Sequence, residues 1–132
     1  MKISKWFEPY KNGKPTLEYK KTQRPAVYFI RENKKIVYVG YSTTNLYKTM
    51  YRHFQKWNDK QQERKVYDKK TEVRVIFCTA LQADRLETYL IQKLKPRDNA
   101  HKYTDQPPAP AVNIEKIEYI KDENIFVPDD AF

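Results

Sequence analysis

Two tyrosines, one glutamate and one cationic helix face are the residues of this chain whose types and spacing could do chemistry. Tyr28 and Tyr38 stand ten residues apart in AVYFIRENKKIVYVGYS, residues 26–42. Residues 26–31 and 35–40 alternate as strands around the turn RENKK. With that turn centred on Asn33, the register pairs Ile30 with Ile36 and Tyr28 with Tyr38. Both phenols then lie on one face, with Cβ atoms about 4.5–5.5 Å apart. A slip of one residue would separate them. Tyrosine is in any case a favoured strand residue, so the inference rests on the pairing and not on the residue type.

Glu87 is the second anomaly. In a helix over 80–95, Ala83, Leu86, Leu90, Ile91 and Leu94 form the apolar stripe, and Glu87 falls inside it. A carboxylate buried there must be paired, protonated or bound to a metal, because burying it alone is costly. A structural salt bridge, or a stripe edge open to water, is the plainer reading. On a second helix, over 44–57, Thr49, Arg52, His53 and Lys56 share a face. These residue types suit phosphodiester hydrolysis, which needs a nucleophilic water, positive charge at phosphate and help for the leaving oxygen. One carboxylate can hold a largely hydrated Mg²⁺ or Mn²⁺, and such an ion stabilises charge on the phosphate. A tyrosine serves as general base only if its pKa of about 10 is lowered or its proton leaves transiently.

Several elements must position these groups. Helix 44–57 is capped by Thr43 or Thr44, with Leu46, Met50, Phe54 and Trp57 as its core stripe. A more polar helix is expected over 58–66, a third strand over 72–78, and Thr79 caps the helix that Pro96 ends. Residues 1–25 read as a basic, partly ordered extension anchored by Trp6, Phe7, Tyr10 and Tyr19, and residues 26–99 as the core. Residues 100–132 read as a proline-containing connector and an acidic tail docked on the domain. The expected fold class is α/β: a small sheet of three mainly antiparallel strands flanked by helices.

Charge and composition narrow the classes. The 132 residues carry a formal charge of +9. Residues 112–132 hold six acids against two lysines, a net of −4, which leaves +13 on residues 1–111. A domain so basic suits a polyanion, most simply nucleic acid. Mean hydropathy is −0.95 and 14% of residues are aromatic, which argues against both a membrane span and disorder. The single cysteine, Cys78, cannot form an internal disulfide and reads as a buried thiol in an intracellular protein. There is no Cys/His metal spacing and no glycine-rich phosphate loop, and His101 reads as solvated.

The runs VYFI, YVG, NLYKTMYRHF and LETYLIQKLKPRDN, in that order, resemble the GIY-YIG nuclease family over residues 26–99. The resemblance implies Tyr28 and Tyr38 as the motif tyrosines, Gly40 as the motif glycine, His53 as the helix histidine, Glu87 as the metal ligand and Asn99 as a supporting residue. Ala26 stands where the family has its first glycine, and Thr49 where it has an arginine; Arg52, one turn along, is the nearest replacement. By the same resemblance Tyr28 is the base, with Tyr38 or His53 orienting water. The expected function is a divalent-metal-dependent endonuclease, on DNA rather than RNA, leaving a 5′-phosphate and a 3′-hydroxyl. One Mg²⁺ or Mn²⁺ is the expected cofactor, and a monomer and a homodimer both stay open. Lys34, Lys35, Lys48, Arg52 and Lys56 are the expected nucleic-acid contacts. A non-catalytic nucleic-acid-binding module of the same fold is the rival reading. An inhibitor or scaffold acting through protein contacts is the third.

Overall fold

The computed structural model describes residues 2–55, residues 66–100 and the backbone of Glu118–Tyr119. Lys56, Trp57, most of the expected polar helix, His101 and nearly all of the tail lie outside the described residues.

Three strands form the body of the sheet: β4 (Ala26–Glu32), β5 (Lys35–Ser42) and β6 (Glu72–Phe77). All three pair antiparallel, with β4 in the middle. The sheet is wider than expected. Strand β1 (Lys2–Ile3) adds antiparallel to β6, and β7 (Glu118–Tyr119) adds parallel to β1, giving the order β5-β4-β6-β1-β7. The N-terminal stretch is therefore built into the domain. Its Ile3, Phe7 and Leu17 are buried, and it forms a separate hairpin, β2 (Tyr10–Lys11) with β3 (Lys14–Pro15).

Alternation divides the sheet's side chains between two cores. On one face Tyr28, Ile30, Val73 and Val75 pack with Leu46 and Met50 of α1 (Leu46–Tyr51). On the other, Val27, Phe29, Val39 and Ile76 pack with Ala83, Leu86, Leu90 and Ile91 of α2 (Ala80–Leu94). Helix α2 starts as expected, in a capping box: Gln82 N–H donates to Thr79 Oγ1 at 3.2 Å and Thr79 N–H to Gln82 Oε1 at 2.9 Å. It stops where Lys95 turns left-handed (φ 46°), just before Pro96. Among the described residues, no helix is long and apolar enough to cross a membrane.

Three expectations need correction. Helix α1 is capped by Asn45, whose Oδ1 accepts from Lys48 N–H, and not by Thr43 or Thr44. Ser42 Oγ takes the N–H groups of Thr44 and Asn45, which turns the chain ahead of the cap. The helix is also shorter than 44–57. It tightens to a 3₁₀ turn at Arg52–Phe54, and Gln55 is extended. The His53 carbonyl there accepts from Tyr67 N–H at 2.8 Å, a long-range bond that holds the end of the turn. Third, Cys78 lies beyond β6 and is only half-buried.

Candidate active site

The β4–β5 hairpin differs from its expected register, and the reason lies in its turn. Asn33 and Lys34 both have positive φ, 50° and 65°, so the loop is two residues long, of the type that matches strand twist. Glu32 faces Lys35 and Arg31 faces Ile36. Val37 is then an extra residue, because the next pair is Ile30 with Tyr38. Tyr28 consequently faces Gly40 and not Tyr38. The tight turn and the bulge each displace the register by one residue in the same direction. Two such steps restore the face. The tyrosines are diagonal neighbours on the same side of the sheet, with ring centroids 6.0 Å apart.

Gly40 makes that arrangement possible. A Cβ there would overlap Tyr28 Oη, and would stand 2.5 Å from Tyr28 Cζ and 2.8 Å from Tyr38 Cε1. The glycine thus makes room for the two rings. Tyr28 is 1% exposed and Tyr38 half-buried, so the pair runs from the core to the surface.

His53 completes the cluster. Tyr28 Oη lies 2.7 Å from His53 Nε2, and the His53 ring is 4.6 Å from that of Tyr38. The phenol donates when Nε2 carries no proton. Burial, first of all, pushes the Tyr28 pKa well up, and Tyr38 and the charge of Glu87 push the same way. The Arg52 guanidinium pulls it down. Glu87 and Arg52 are therefore close enough to act electrostatically on the central phenol. Glu87 is 4% exposed, inside the apolar stripe of α2 as expected. Its Oε2 atom is buried and accepts no hydrogen bond, while the residue makes other interactions.

Asn99 lies beneath the strand that carries Tyr38 and Gly40. Its side chain takes both backbone groups of Val39, accepting from the N–H at 2.8 Å and donating to the carbonyl at 2.9 Å. It holds β5 at Val39. Thr49, at the expected arginine position, donates its hydroxyl to the Asn45 carbonyl at 3.0 Å. Arg52 is exposed, as are Lys34 and Lys35 beside the hairpin turn and Lys48 on α1.

Tyr67 was not foreseen. Its ring centroid lies 5.9 Å from His53 and 6.3 Å from Tyr38. Its hydroxyl donates to Asp98 Oδ2 at 2.6 Å, and burial and Asp98 push its pKa far up. Asp98 is held in turn by Arg97, which also reaches Glu32. The only hint in the sequence is the place of Asp98 next to Asn99; nothing ties Tyr67 to a partner 31 residues away.

Among the solved structures similar to this chain are three of the GIY-YIG N-terminal endonuclease domain of UvrC from Thermotoga maritima. A point mutant of it bound to the catalytic divalent cation is 18% identical, with a TM-score of 0.44, over 58% of this chain and 82% of that one. The magnesium-bound domain is 19% identical, with a TM-score of 0.43, over 58% of this chain and 83% of that one. A second point mutant gives 19% and 0.43, over 58% and 82%. No curated protein sequence matches at a significant level. The model of the GIY-YIG catalytic domain matches residues 24–103, which hold both tyrosines, His53, Glu87 and Asn99. By that match, over more than half of its length, the chain belongs to the GIY-YIG family.

Proposed function

We propose that this protein is an endonuclease that hydrolyses phosphodiester bonds in DNA with one divalent cation held at Glu87. The observation that carries the reading is the cluster itself. Tyr28 Oη stands 2.7 Å from His53 Nε2, Tyr38 lies against both rings, and Glu87 and Arg52 act on the same phenol. The donor set suits Mg²⁺ or Mn²⁺. Glu87 offers hard oxygens, and among the described residues no three His, Cys, Asp or Glu side chains gather into a fuller ligand set. An ion with one protein carboxylate keeps most of its water, as Mg²⁺ commonly does. When bound, such an ion stabilises charge on the phosphate and the departing oxygen.

The protein's own groups handle the proton. Burial keeps Tyr28 a phenol, so a standing phenolate is not the base. Instead Tyr28 takes a proton from the attacking water while passing its own to a neutral His53 at Nε2. Tyr38, on the exposed side of the cluster, orients that water. A new P–O bond forms to the water oxygen and the bond to the 3′ oxygen breaks. That oxygen leaves as a 3′-hydroxyl, protonated from solvent, and a 5′-phosphate remains. Arg52 supplies the positive charge that Thr49 does not.

One observation favours the binding-module reading: the Thr49 hydroxyl is turned back onto its own helix and offers phosphate no cation. Glu87→Gln separates the two. Cleavage of plasmid DNA in Mg²⁺ is expected to vanish in the variant, while duplex binding in chelator stays within a few-fold of the parent. Undiminished cutting by the variant overturns the metal role. A parent that binds DNA and cuts nothing in Mg²⁺ or Mn²⁺ would make the module the better description.

A further inference from the structure

The β2–β3 hairpin lies outside residues 24–103, which the family model covers, and the sheet does not need it. It is nonetheless firmly held. Tyr51 Oη donates to the Pro9 carbonyl at 2.9 Å and accepts from Leu17 N–H at 3.0 Å, closing the base of the hairpin onto α1. Thr16 N–H donates to the same Pro9 carbonyl at 2.9 Å. The tip is a tight turn with Asn12 (φ 53°) and Gly13 (φ 74°) left-handed, flanked by Lys11 and Lys14 directly opposite each other.

That pair is the anomaly. Like charges directly across two strands destabilise a hairpin, and here both are exposed at the tip of a rigid element. A third cation lies against the same hairpin. Lys69 Nζ sits 4.8 Å over the ring of Tyr10, on the same hairpin. None of the three makes an ion pair among the described residues. The element is also tied to the catalytic cluster by packed rings: Tyr10 meets Phe54 at 6.0 Å, Phe54 meets Tyr67 at 6.3 Å, and Tyr67 meets Tyr38 at 6.3 Å.

We infer that the β2–β3 hairpin is a backbone clamp, in which Lys11, Lys14 and Lys69 bind phosphates of the DNA beside the site of cleavage. The inference rests on the endonuclease reading for its substrate, but not for its geometry. Three cations with no ion pair among the described residues, on a fixed support, match the repeating charge of a phosphodiester chain, and each phosphate contact displaces a condensed counterion. The contact carries no base information. It supplies affinity and orientation to the core.

The test uses the full chain and a short DNA duplex, with binding measured in chelator over a range of salt and cleavage measured in Mg²⁺. Lys11→Glu with Lys14→Glu is expected to weaken binding at least about tenfold near physiological salt and to lower the salt slope by about 2. Saturating duplex should restore the parent's cleavage rate. The charge-matched control is Arg85→Glu with Lys93→Glu, two exposed positions on α2, across the sheet. An equal loss in that control, or unchanged affinity and slope in the hairpin variant, overturns the clamp. Selective loss of binding by a protein whose parent does not cut leaves the clamp standing and removes the endonuclease. Full cutting and binding by the hairpin variant does the reverse. A parent that binds no DNA removes both.

Discussion

On the α1 face of the sheet the buried apolar side chains are rich in aromatics, several with hydroxyls; on the α2 face the buried apolar side chains are aliphatic apart from Phe29. The difference follows from what each face must do. A tyrosine combines a rigid apolar body with a polar tip, so one residue can fill core volume and present a reactive group at its edge. Tyr28 does both, packing over Gly40 while its hydroxyl reaches His53. The aliphatic face has no such duty and supplies burial. Two charged residues depart from this: Arg74, fully buried opposite Phe29 with its Nε donating to the Ser4 carbonyl at 2.6 Å, and Glu87, an acid among the apolar residues of α2 whose charge pushes up the Tyr28 pKa. The groups proposed to handle the proton are thus gathered on the α1 side, while the α2 side supplies burial and the proposed metal ligand.

If that division is sound, equally buried residues on the two faces should fail in different ways. Tyr28→Phe removes the relay hydroxyl and little volume. It should cost about 10²–10⁴ in cleavage rate, the usual range for losing a positioned acid–base group, with a small change in denaturant midpoint. Leu90→Ala, fully buried on the α2 face, should cost about 2–5 kcal/mol of stability and leave the rate of the folded fraction unchanged. A large rate loss in folded Leu90→Ala, or a rate-neutral Tyr28→Phe, would break the division.

Gly40→Ala sharpens it. The added methyl must displace the Tyr28 ring, and overpacking of this kind costs about 1–3 kcal/mol. Because the displaced ring also leaves His53, the rate should fall by more than the stability change accounts for. Rate and stability falling together would mean that ring placement is looser than the contacts imply.

The smallest effect is one of pH. Burial raises the pKa values of Tyr28, Tyr51 and Tyr67 in the folded chain. Their contribution is fully present below the unfolded value of about 10 and is lost as pH rises above it. Chemical denaturation from pH 8 upward should show stability level at first and falling past about pH 10. Leu90→Ala should keep that slope, since it removes no titrating group.

Much of this was legible in the residues, and the exceptions are physical. Alternation and helical spacing located β4, β5, β6 and α2, and the apolar stripe singled out Glu87 as a buried acid. The hairpin register was not legible. Nothing in RENKK announces that Asn33 and Lys34 both turn left-handed, or that Val37 bulges. The shared face of the tyrosines survived because two one-residue shifts keep side-chain parity. Strand β1 and the β2–β3 hairpin were legible only as a partly ordered extension, because strands of two residues have no period to detect. Tyr67 was missed because its meaning comes from His53 and Asp98, which only the fold brings beside it.

Among the described residues, strand β5 is the outermost strand on its side of the sheet, so its outward backbone groups have no strand partner there. An uncovered edge of that kind invites pairing between molecules. Asn99 answers it at Val39, occupying donor and acceptor together with a side chain 60 residues away in the chain. The same clasp that steadies the strand under Tyr38 therefore also acts as a stopper against aggregation. During synthesis it arrives late: β4 and β5 emerge well before Asn99, and until that residue is made the edge that bears the chemistry is the one most open to a neighbour.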